Sequence, residues 1–442
     1  MKTVDFHEYN LEDLECKNRY GSVDGPFGSN LPASSYKENG VPIIRGANLS
    51  LGKERFVDCN YKFINEELAI KLKRSSCQPN DIVFTKKGTL GQTGLVPLNS
   101  EFKHFILSSN QMRIRLNEAI ANPLYVYYFV SCPQSQNRIL ADAMTAGVPK
   151  INLTYLRKFK ILLPNITIQK KIAATLSAYD DIVENNKRRI ALLEKMAEEI
   201  YREWFVRFRF PGNQTAEFEK GIPKGWHIDK AEAFFSHIKG KSYKGDELSE
   251  NLESSIPFVT LKSFQRGGGY REEGLKYYTG AFRKQQVVYE GDVVMAVTDM
   301  TQERVVVGRV ARVPEIGAKG AVISLDVIKL VPKTISSTFL YCYMKYSGFG
   351  DFIKSFANGA NVLHLKADLV TQQVIVIPPI DLREKFDEIA GPMHKQIEYL
   401  RKKNKNLMET KNMLLPRLIS GKLSVENLNI QFPPSMQEES AT

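Results

Sequence analysis

The sequence predicts a mixed α/β (α+β) protein in which two similar domains are separated by two long helices. We expect these helices to pair as an antiparallel coiled coil, so that the chain forms a pseudo-twofold internal repeat. The order of sequence features recurs at a spacing of about 214 residues. In each copy, short β-branched runs bounded by Gly, Pro and Asn alternate with short helical stretches. Each copy then ends in a long segment with apolar residues at heptad spacing.

The repeat divides the 442-residue chain into five segments. VPIIRGANL from Val41 corresponds to IPFVTLKSF from Ile256, and NDIVFT from Asn80 corresponds to GDVVMA from Gly291. We expect a first domain, a first helix, a second domain, a second helix and a flexible tail, at residues 1–165, 166–210, 211–379, 380–423 and 424–442 respectively.

Within each domain the β-branched runs predict strands, and the stretches between them predict short helices. Asp81 and Asp292 each precede a strand, and we expect each carboxylate to accept hydrogen bonds from backbone N–H groups of a turn. The strands are expected at residues 81–85, 111–116, 287–295 and 374–377, and the helices at residues 123–131 and 337–346.

The two long segments have inward-facing positions that alternate at spacings of four and three, and adding 214 to a position in the first gives its counterpart in the second. An antiparallel pairing would place Asn186 opposite Asn404 across the seam; alternatively, both asparagines face solvent at a local irregularity. Pro416 is expected to end the second helix nearby. The predicted packing residues are Ile172, Leu176, Val183, Asn186, Ile190, Leu193, Phe386, Ile397, Leu400, Asn404 and Leu407.

Composition restricts the class of protein. Hydrophobic residues make up 43% and charged residues 25% of the chain, as in soluble globular proteins. No apolar run is long enough to span a membrane, and the N-terminus has no signal peptide, so we expect a cytoplasmic protein without membrane contact. The odd number of cysteines, without CxxC spacing, disfavours disulfides and a zinc site. A net charge of +12 favours a polyanionic partner, most simply nucleic acid, although a merely basic protein remains an alternative.

Catalytic motifs are absent from the sequence. It has no glycine-rich cofactor loop after a strand, no GxxxxGK[ST] phosphate loop, no HExxH and no Cys/His cluster. The NPLY run at Asn122 is explained better as a helix start than as a methyltransferase motif. Asp81 with Glu101 and Lys103 resembles a nuclease set, but the second copy lacks the Glu-x-Lys. We therefore predict no catalytic residue, no metal site and no cofactor bound by this chain, which binds rather than reacts.

The binding candidates are basic and polar residues in predicted loops, where Lys and Arg neutralise phosphate and Gln, Asn and Arg hydrogen-bond to base edges. The alternative for each loop is a solvated turn. Arg188 and Lys402 lie at equivalent places on the two helices, where they would contact the DNA backbone or simply solvate the coiled coil. In the first copy the loop candidates are Lys86, Lys87, Thr89, Gln92, Thr93, Lys103, His104 and Lys150, and Lys150 ends a candidate run at residues 145–150. In the second copy they are Lys262, Arg266, Thr298, Thr301, Gln302, Arg304, Asn361 and Lys366.

Four segments make the chain similar to the specificity (S) subunits of type I restriction-modification systems. They are GPFGSNL from Gly25, the helical run at residues 169–208, GIPKGW from Gly221 and LLPRLISGKL from Leu414. The resemblance implies two target recognition domains, each of which recognises one half of a bipartite, asymmetric site in double-stranded DNA. It also implies that the long helices act as spacers and bind two modification (M) subunits.

The same resemblance assigns the chemistry to partner subunits. The M subunits would carry S-adenosylmethionine and the adenine-N6 methyltransferase activity, and two restriction (R) subunits would supply cleavage that depends on ATP and Mg. Two other classes of function remain open: a self-contained sequence-specific DNA methylase or nuclease, and a DNA-independent coiled-coil scaffold.

Overall fold

The structure, a computed structural model, describes residues 5–17, 20–144, 149–249, 254–433 and 436. The chain divides into two compact units. Unit 1 comprises Met1–Asn185 and Asn404–Thr442, and unit 2 comprises Asn186–Lys403. Each unit therefore contains one domain and one half of each long helix.

Unit 1 combines short strands with helices of varied length. Its strands are β1 (His7–Asn10), β2 (Ser22–Asp24), β3 (Val41–Ile44), β4 (Lys62–Ile64), β5 (Ser76–Cys77), β6 (Ile82–Thr85), β7 (Thr93–Leu95), β8 (Phe105–Leu107), β9 (Gln111–Ile114) and β10 (Lys160–Leu163). Its α-helices are α1 (Glu66–Lys71), α2 (Pro123–Ser131), α3 (Pro133–Met144), α4 (Leu153–Arg157) and the first half of α5 (Ile166–Tyr201).

Unit 2 has the same kinds of element. Its strands are β11 (Phe218–Glu219), β12 (Ile222–Pro223), β13 (His227–Lys230), β14 (Phe235–Lys239), β15 (Ile256–Val259), β16 (Lys276–Tyr278), β17 (Val287–Val288), β18 (Val293–Ala296), β19 (Thr298–Asp299), β20 (Val310–Arg312), β21 (Ala321–Ile323), β22 (Val327–Pro332), β23 (Leu363–His364) and β24 (Val374–Ile377). Its α-helices are α6 (Ser337–Tyr346), α7 (Phe349–Ile353), α8 (Ala367–Gln372), the second half of α5 and the first half of α9 (Ile380–Ile419).

The two units have the same strand order in their main sheets. Unit 1 contains the sheets β2-β9-β6-β7 and β4-β3-β8-β5, and unit 2 contains β14-β22-β18-β20 and β16-β15-β21-β17. In both, one pair is parallel, β3 with β8 and β15 with β21, and the other pairs in these sheets are antiparallel. A further antiparallel pair joins β1 to β10 in unit 1 and β13 to β24 in unit 2.

Local sequence signals explain several element boundaries. The side chain of Asn122 accepts a hydrogen bond from the Tyr125 N–H with Pro123 in the first turn of α2, which confirms the predicted helix start. α2, α6 and β24 lie where they were predicted. The run 287–295, predicted as one strand, forms β17 and β18 instead, because Gly291 has φ +85° in the turn between them.

The two predicted turn carboxylates are confirmed. Asp81 Oδ2 accepts a hydrogen bond from the Gln78 N–H at 2.9 Å, and Asp292 Oδ2 accepts one from the Tyr289 N–H at 2.8 Å. Each carboxylate also pairs with a cation from the neighbouring strand or its end, Asp81 with Arg115 directly after β9 and Asp292 with Lys329 on β22. These pairs fix the start of the central strands β6 and β18, from which the candidate binding loops continue.

The long helices are shorter than predicted at their C-terminal ends. α5 ends at Tyr201 and continues as one π-helical turn, Arg202–Val206. α9 continues through Pro416 and ends at Ile419, three residues beyond the proline that was predicted to end it nearby. Pro416 is tolerated because Leu415, Leu418 and Ile419 are buried in the core of unit 1. Burying each such side chain contributes about 1.5–3 kcal/mol, which together outweighs the roughly 3 kcal/mol that an internal proline costs.

In each unit the halves of α5 and α9 pack with opposite chain direction. In unit 1, Ile172 and Leu176 share a core with Leu415 and Leu418. Further along α5 and further back along α9, Lys411 Nζ donates to Asp180 Oδ1 at 2.6 Å. In unit 2, Arg401 Nη2 donates to Glu194 Oε1 at 2.8 Å, and Tyr201, later in α5, contacts the ring of Phe386, earlier in α9.

The predicted packing residues differ in burial. Val183, Asn186, Ile397 and Leu400 are buried like the core residues above, whereas four others are half-buried: Ile190, Leu193, Asn404 and Leu407. The proposed pairing of Asn186 with Asn404 would join residues of different units and stays a prediction.

The segment predicted as a flexible tail packs against unit 1 over part of its length. Val425 is 2% exposed, and Ile430 and Met436 are partly buried against the same core. Lys171 Nζ on α5 donates to the Glu426 carbonyl at 2.6 Å. Among the described residues, no helix has the length and apolar character of a membrane span.

α9 contributes a buried histidine to unit 2. His394 is 4% exposed, and its Nε2 lies 3.5 Å from Cys342 Sγ on α6. Burial, reinforced by three neighbouring positive charges, lowers the pKa of His394 to about 3; the charges belong to Arg312, Lys345 and Arg401. The imidazole is therefore neutral in the folded protein at neutral pH.

Acid is expected to destabilise unit 2 through His394. The unfolded chain binds this proton near the ordinary pKa of 6.5 and the folded chain only near 3, so a falling pH favours unfolding between these values. From pH 7 to pH 5 the contribution is about 2 kcal/mol. When stability is measured by urea unfolding at pH 7 and at pH 5, the loss of stability should be smaller for His394→Gln than for wild type by that amount. An equal fall in wild type and His394→Gln would contradict the assignment.

Candidate DNA interface

In unit 1, the loop between β6 and β7 lies against the segment that precedes α4. The Lys86 N–H donates to the Asn110 carbonyl at 2.9 Å, and the Ile151 N–H donates to the Lys86 carbonyl at 3.1 Å. Lys87 forms an antiparallel bridge with Lys150. Two candidate lysines from distant parts of the sequence are therefore adjacent, and both are exposed.

Glycines and one buried leucine shape this loop. Gly88 has φ +106° and Gly91 has φ +83°, both in the region that favours glycine. Leu90 between them is 5% exposed and belongs to the core of unit 1. A Cβ at Gly88 would meet nothing within 4 Å, so the backbone here is open to a ligand. The loop thus presents exposed Lys87 and Thr89 beside accessible backbone, an arrangement suited to phosphate.

Unit 2 has a loop at the equivalent place, after β18. Strand β19 pairs with β23, with Thr298 opposite His364, and the Leu365 N–H donates to the Val297 carbonyl at 2.8 Å. As in unit 1, the loop after the central strand therefore meets the segment that precedes the next short helix, here α8. The structure brings the candidates at residues 298–304 close to those at residues 358–366 in this way.

Asp299 organises the loop of unit 2. Its Oδ1 accepts hydrogen bonds from the Thr301 N–H and Oγ1, both at 2.9 Å, and its Oδ2 accepts from the N–H groups of Val306 at 2.6 Å and Val307 at 3.1 Å. Burial alone would raise the pKa of Asp299, but these hydrogen bonds together hold the pKa below its usual value. Asp299 is 2% exposed and was not among the predicted site residues. The sequence signal for the role of Asp299 was the Asp-x-Thr spacing, which is typical of an Asx turn.

Most predicted loop residues are exposed, but several are occupied by contacts within the protein. Lys86 Nζ lies 3.1 Å from Asp24 Oδ1. Gln302 Nε2 donates to the Ala360 carbonyl at 2.8 Å, and Arg304 Nη2 donates to the Ala357 carbonyl at 3.3 Å. Lys86, Gln92 and Arg304 are half-buried. The exposed candidates are Lys87, Thr89, Lys103, His104, Lys150, Lys262, Arg266, Thr301, Gln302, Asn361 and Lys366.

Two predicted contact residues are buried, and for them the prediction was wrong. Thr93 is 0% exposed and Thr298 is 3% exposed. Thr93 begins β7 and Thr298 begins β19, so both side chains belong to strands rather than to loops. The predicted loops overlapped β7 by one residue and β19 by two, because threonine is enriched in strands although its polar side chain also suits a loop. Residues 145–148, which belong to the predicted binding run 145–150, lie outside the described residues.

Replacing Thr93 with valine should therefore leave DNA binding unchanged. The Thr93 Oγ1 atom is buried and has no hydrogen-bond partner among the described residues. Because an unpaired buried hydroxyl is unfavourable, Thr93→Val should leave the free energy of unfolding unchanged or raise it by about 1 kcal/mol. Denaturant unfolding and duplex binding measure both effects. Weaker DNA binding by Thr93→Val would contradict the correction.

The two candidate basic residues on the long helices, Arg188 and Lys402, are both exposed. Lys402 Nζ lies 2.7 Å from Glu315 Oε2 in unit 2, and the Glu315 carboxylate raises the pKa of Lys402. The neighbouring Arg401 pairs with Glu194. Part of the positive charge of α9 at this place is thus balanced within the protein.

The described residues contain no group of three or more His, Cys, Asp or Glu side chains placed to hold a metal ion. The exposed loop residues offer lysine, threonine and open backbone in unit 1, and threonine and amide groups beside Met300 and Glu303 in unit 2. The lysine, hydroxyl, amide and backbone groups form hydrogen bonds or neutralise charge, and they are typical of contacts to phosphate and to base edges.

Comparison with known proteins agrees with this chemistry. Residues 28–195 match the family model for the type I restriction modification DNA specificity domain. The type I restriction enzyme MjaIX specificity subunit of Methanocaldococcus jannaschii is 25% identical over 420 residues, which cover 91% of each chain. The putative type I restriction enzyme MjaX specificity subunit of the same organism is 25% identical over 403 residues, which cover 90% of each chain.

A solved structure shares the fold. The S subunit of a type I restriction-modification system from M. genitalium aligns with a TM-score of 0.57 at 16% identity, covering 95% of this chain and 97% of that one. The predicted resemblance to the specificity subunits of type I restriction-modification systems is therefore confirmed, as is the mixed helix and sheet content of the fold.

Proposed function

We propose that this chain, a relative of the type I restriction enzyme specificity subunits, is the non-catalytic subunit that selects the DNA site of a restriction-modification complex. In this proposal it recognises a bipartite, asymmetric site in double-stranded DNA. It directs adenine-N6 methylation with two M subunits and ATP-dependent cleavage with two R subunits, in the cytoplasm. S-adenosylmethionine, ATP and Mg belong to those partners.

One observation carries this proposal: the two units share a strand order but differ in the chemistry of the loop at the equivalent place. Unit 1 presents exposed Lys87, Gly88 and Thr89 there, and unit 2 presents exposed Met300, Thr301 and Gln302. A shared fold with different loop residues is what the recognition of two unlike half-sites requires. The proposed domains are two target recognition domains, residues 1–165 and 211–379.

We propose that the chain is a pseudo-twofold repeat whose long helices form an antiparallel coiled coil and act as a spacer that binds the M subunits. The opposite chain directions of α5 and α9 within each unit support this pairing. Arg188 and Lys402 would then lie near the sugar-phosphate backbone between the half-sites, where they add affinity without sequence preference.

Duplex binding as a function of salt concentration tests the DNA contact. Binding should weaken as salt increases, and Lys87→Gln with Lys150→Gln should reduce the slope of log K against log salt by about 2. The matched control is Lys71→Gln with Lys224→Gln, which removes the same charge from exposed pairs with Glu67 and Glu217. We expect the control to keep the wild-type slope.

The same preparation distinguishes the alternatives. Binding that does not change with salt would contradict the proposal and favour a DNA-independent scaffold. Cleavage or methylation of DNA by the purified chain without partners would favour a self-contained nuclease or methylase. Equal slopes for the Lys87/Lys150 variant and the control would exclude these two lysines as phosphate contacts.

A further inference from the structure

The loop of unit 2 between β19 and β20 is fixed at both ends. The Asp299 carboxylate holds Thr301 at one end and Val306 and Val307 at the other. Arg304 has φ +53°, and its side chain is tied to the Ala357 carbonyl. Residues 300–303 are therefore the tip of a loop whose conformation is set before any ligand binds.

Met300 and Glu303 are the two side chains of this tip that have no hydrogen bond or ion pair among the described residues. The Thr301 hydroxyl donates to Asp299, and the Gln302 amide donates to the Ala360 carbonyl, so both polar groups are used within the protein. Met300 is 68% exposed, and Glu303 is exposed as well.

The charge of the tip determines which part of DNA it can approach. Residues 300–303 contain no cation, and the carboxylate of Glu303 would be repelled by phosphate. The nearest cation along the loop, Arg304, is half-buried and directed to the Ala357 carbonyl. A tip of this kind is suited to base edges in the major groove. The apolar group that a base edge offers there is the C5-methyl group of thymine.

Resting on the proposed function, we propose that Met300 is a specificity-determining residue that contacts a thymine methyl group in the half-site of unit 2, and that Asp299 positions it. The equivalent residues of unit 1 are Gly88 in place of Asp299 and Thr89 in place of Met300, with Lys87 exposed beside them. In this proposal the loop of unit 2 makes an apolar contact to a base, whereas the loop of unit 1 contacts phosphate.

Replacing thymine by uracil removes only the methyl group and therefore tests the contact directly. In duplexes that contain the recognition site, each thymine is replaced in turn by deoxyuridine, and the ratio of the two dissociation constants is measured for the full chain with its M subunits. Burial of one methyl group corresponds to about a fourfold change in affinity. For wild type we expect this ratio at one thymine of one half-site, and a ratio near 1 for Met300→Ala at the same position.

Met300→Leu keeps an apolar side chain and should retain most of the wild-type ratio. The matched control is Met413→Ala, which removes a methionine of similar exposure, 65%, from α9. This variant should show the wild-type ratio between the thymine and uracil duplexes, even if its affinity for both duplexes changes. If wild type binds the site but no thymine shows the ratio, or if Met300→Ala retains it, the proposal for Met300 is overturned while the proposed function stands. If wild type does not bind the duplex at all, both are overturned.

Discussion

Replacing Asp180 with alanine is expected to destabilise unit 1 by about 3–5 kcal/mol, because it leaves a buried cation without its partner. Lys411 is 5% exposed, and its Nζ donates to Asp180 Oδ1 at 2.6 Å. The other carboxylate oxygen accepts a hydrogen bond from the Tyr128 hydroxyl at 2.6 Å. This carboxylate therefore connects α5 to both α9 and α2. Denaturant unfolding of the full chain measures the effect.

Two variants serve as controls for Asp180. Glu67→Gln breaks an exposed ion pair with Lys71 on α1 and should leave stability close to that of wild type, because solvent screens exposed pairs. Asp180→Asn combined with Lys411→Met removes both charges and should be less destabilising than Asp180→Ala, because no buried charge remains unpaired. A loss below about 1 kcal/mol for Asp180→Ala would mean that water reaches Lys411.

Replacing Phe386 with alanine is expected to destabilise unit 2 by about 3–5 kcal/mol. Phe386 is 0% exposed on α9, and its ring centroid lies 5.2 Å from that of Phe205, 5.8 Å from that of Tyr201 and 6.1 Å from that of Phe339. The substitution leaves a cavity where α5, α6 and α9 meet. The measurement is again denaturant unfolding of the full chain.

Phe282→Ala is the matched control for Phe386, because Phe282 is 42% exposed. It should cost less than about 1 kcal/mol, since little apolar area leaves the interior. If the two variants unfold at the same denaturant concentration, the aromatic cluster does not join the domain of unit 2 to the long helices as described.

The heptad pattern predicted the long helices well, but it did not show which residues are most buried near their C-terminal ends. Trp204 and Leu414, which continue the heptad spacing, are half-buried, whereas the next residues, Phe205 and Leu415, are buried. An α-helix has 3.6 residues per turn, so a strict heptad drifts by about 20° per repeat. Over the four to five repeats from Ile172 or Phe386, this drift widens the buried face to include the next residue, while Leu418 at the heptad spacing stays buried at 1% exposure.

The loops could be located from the sequence, but the roles of their residues could not. Whether a loop lysine is available for DNA depends on contacts with distant residues. Lys86 pairs with Asp24, whereas Lys87 next to it is exposed beside Lys150. The sequence showed Asp299 as one polar residue in a polar run, because its four hydrogen bonds form only when β19 and the loop are folded.

The central claim is that the two units recognise two different half-sites of one DNA site. Mapping of adenine-N6 methylation in cells that carry this chain with its M subunit tests it most directly. The account predicts methylation at an asymmetric motif made of two specified segments separated by a gap of unspecified bases, and no such methylation when the chain is deleted. Methylation at one contiguous motif, or methylation that persists without the chain, would contradict it.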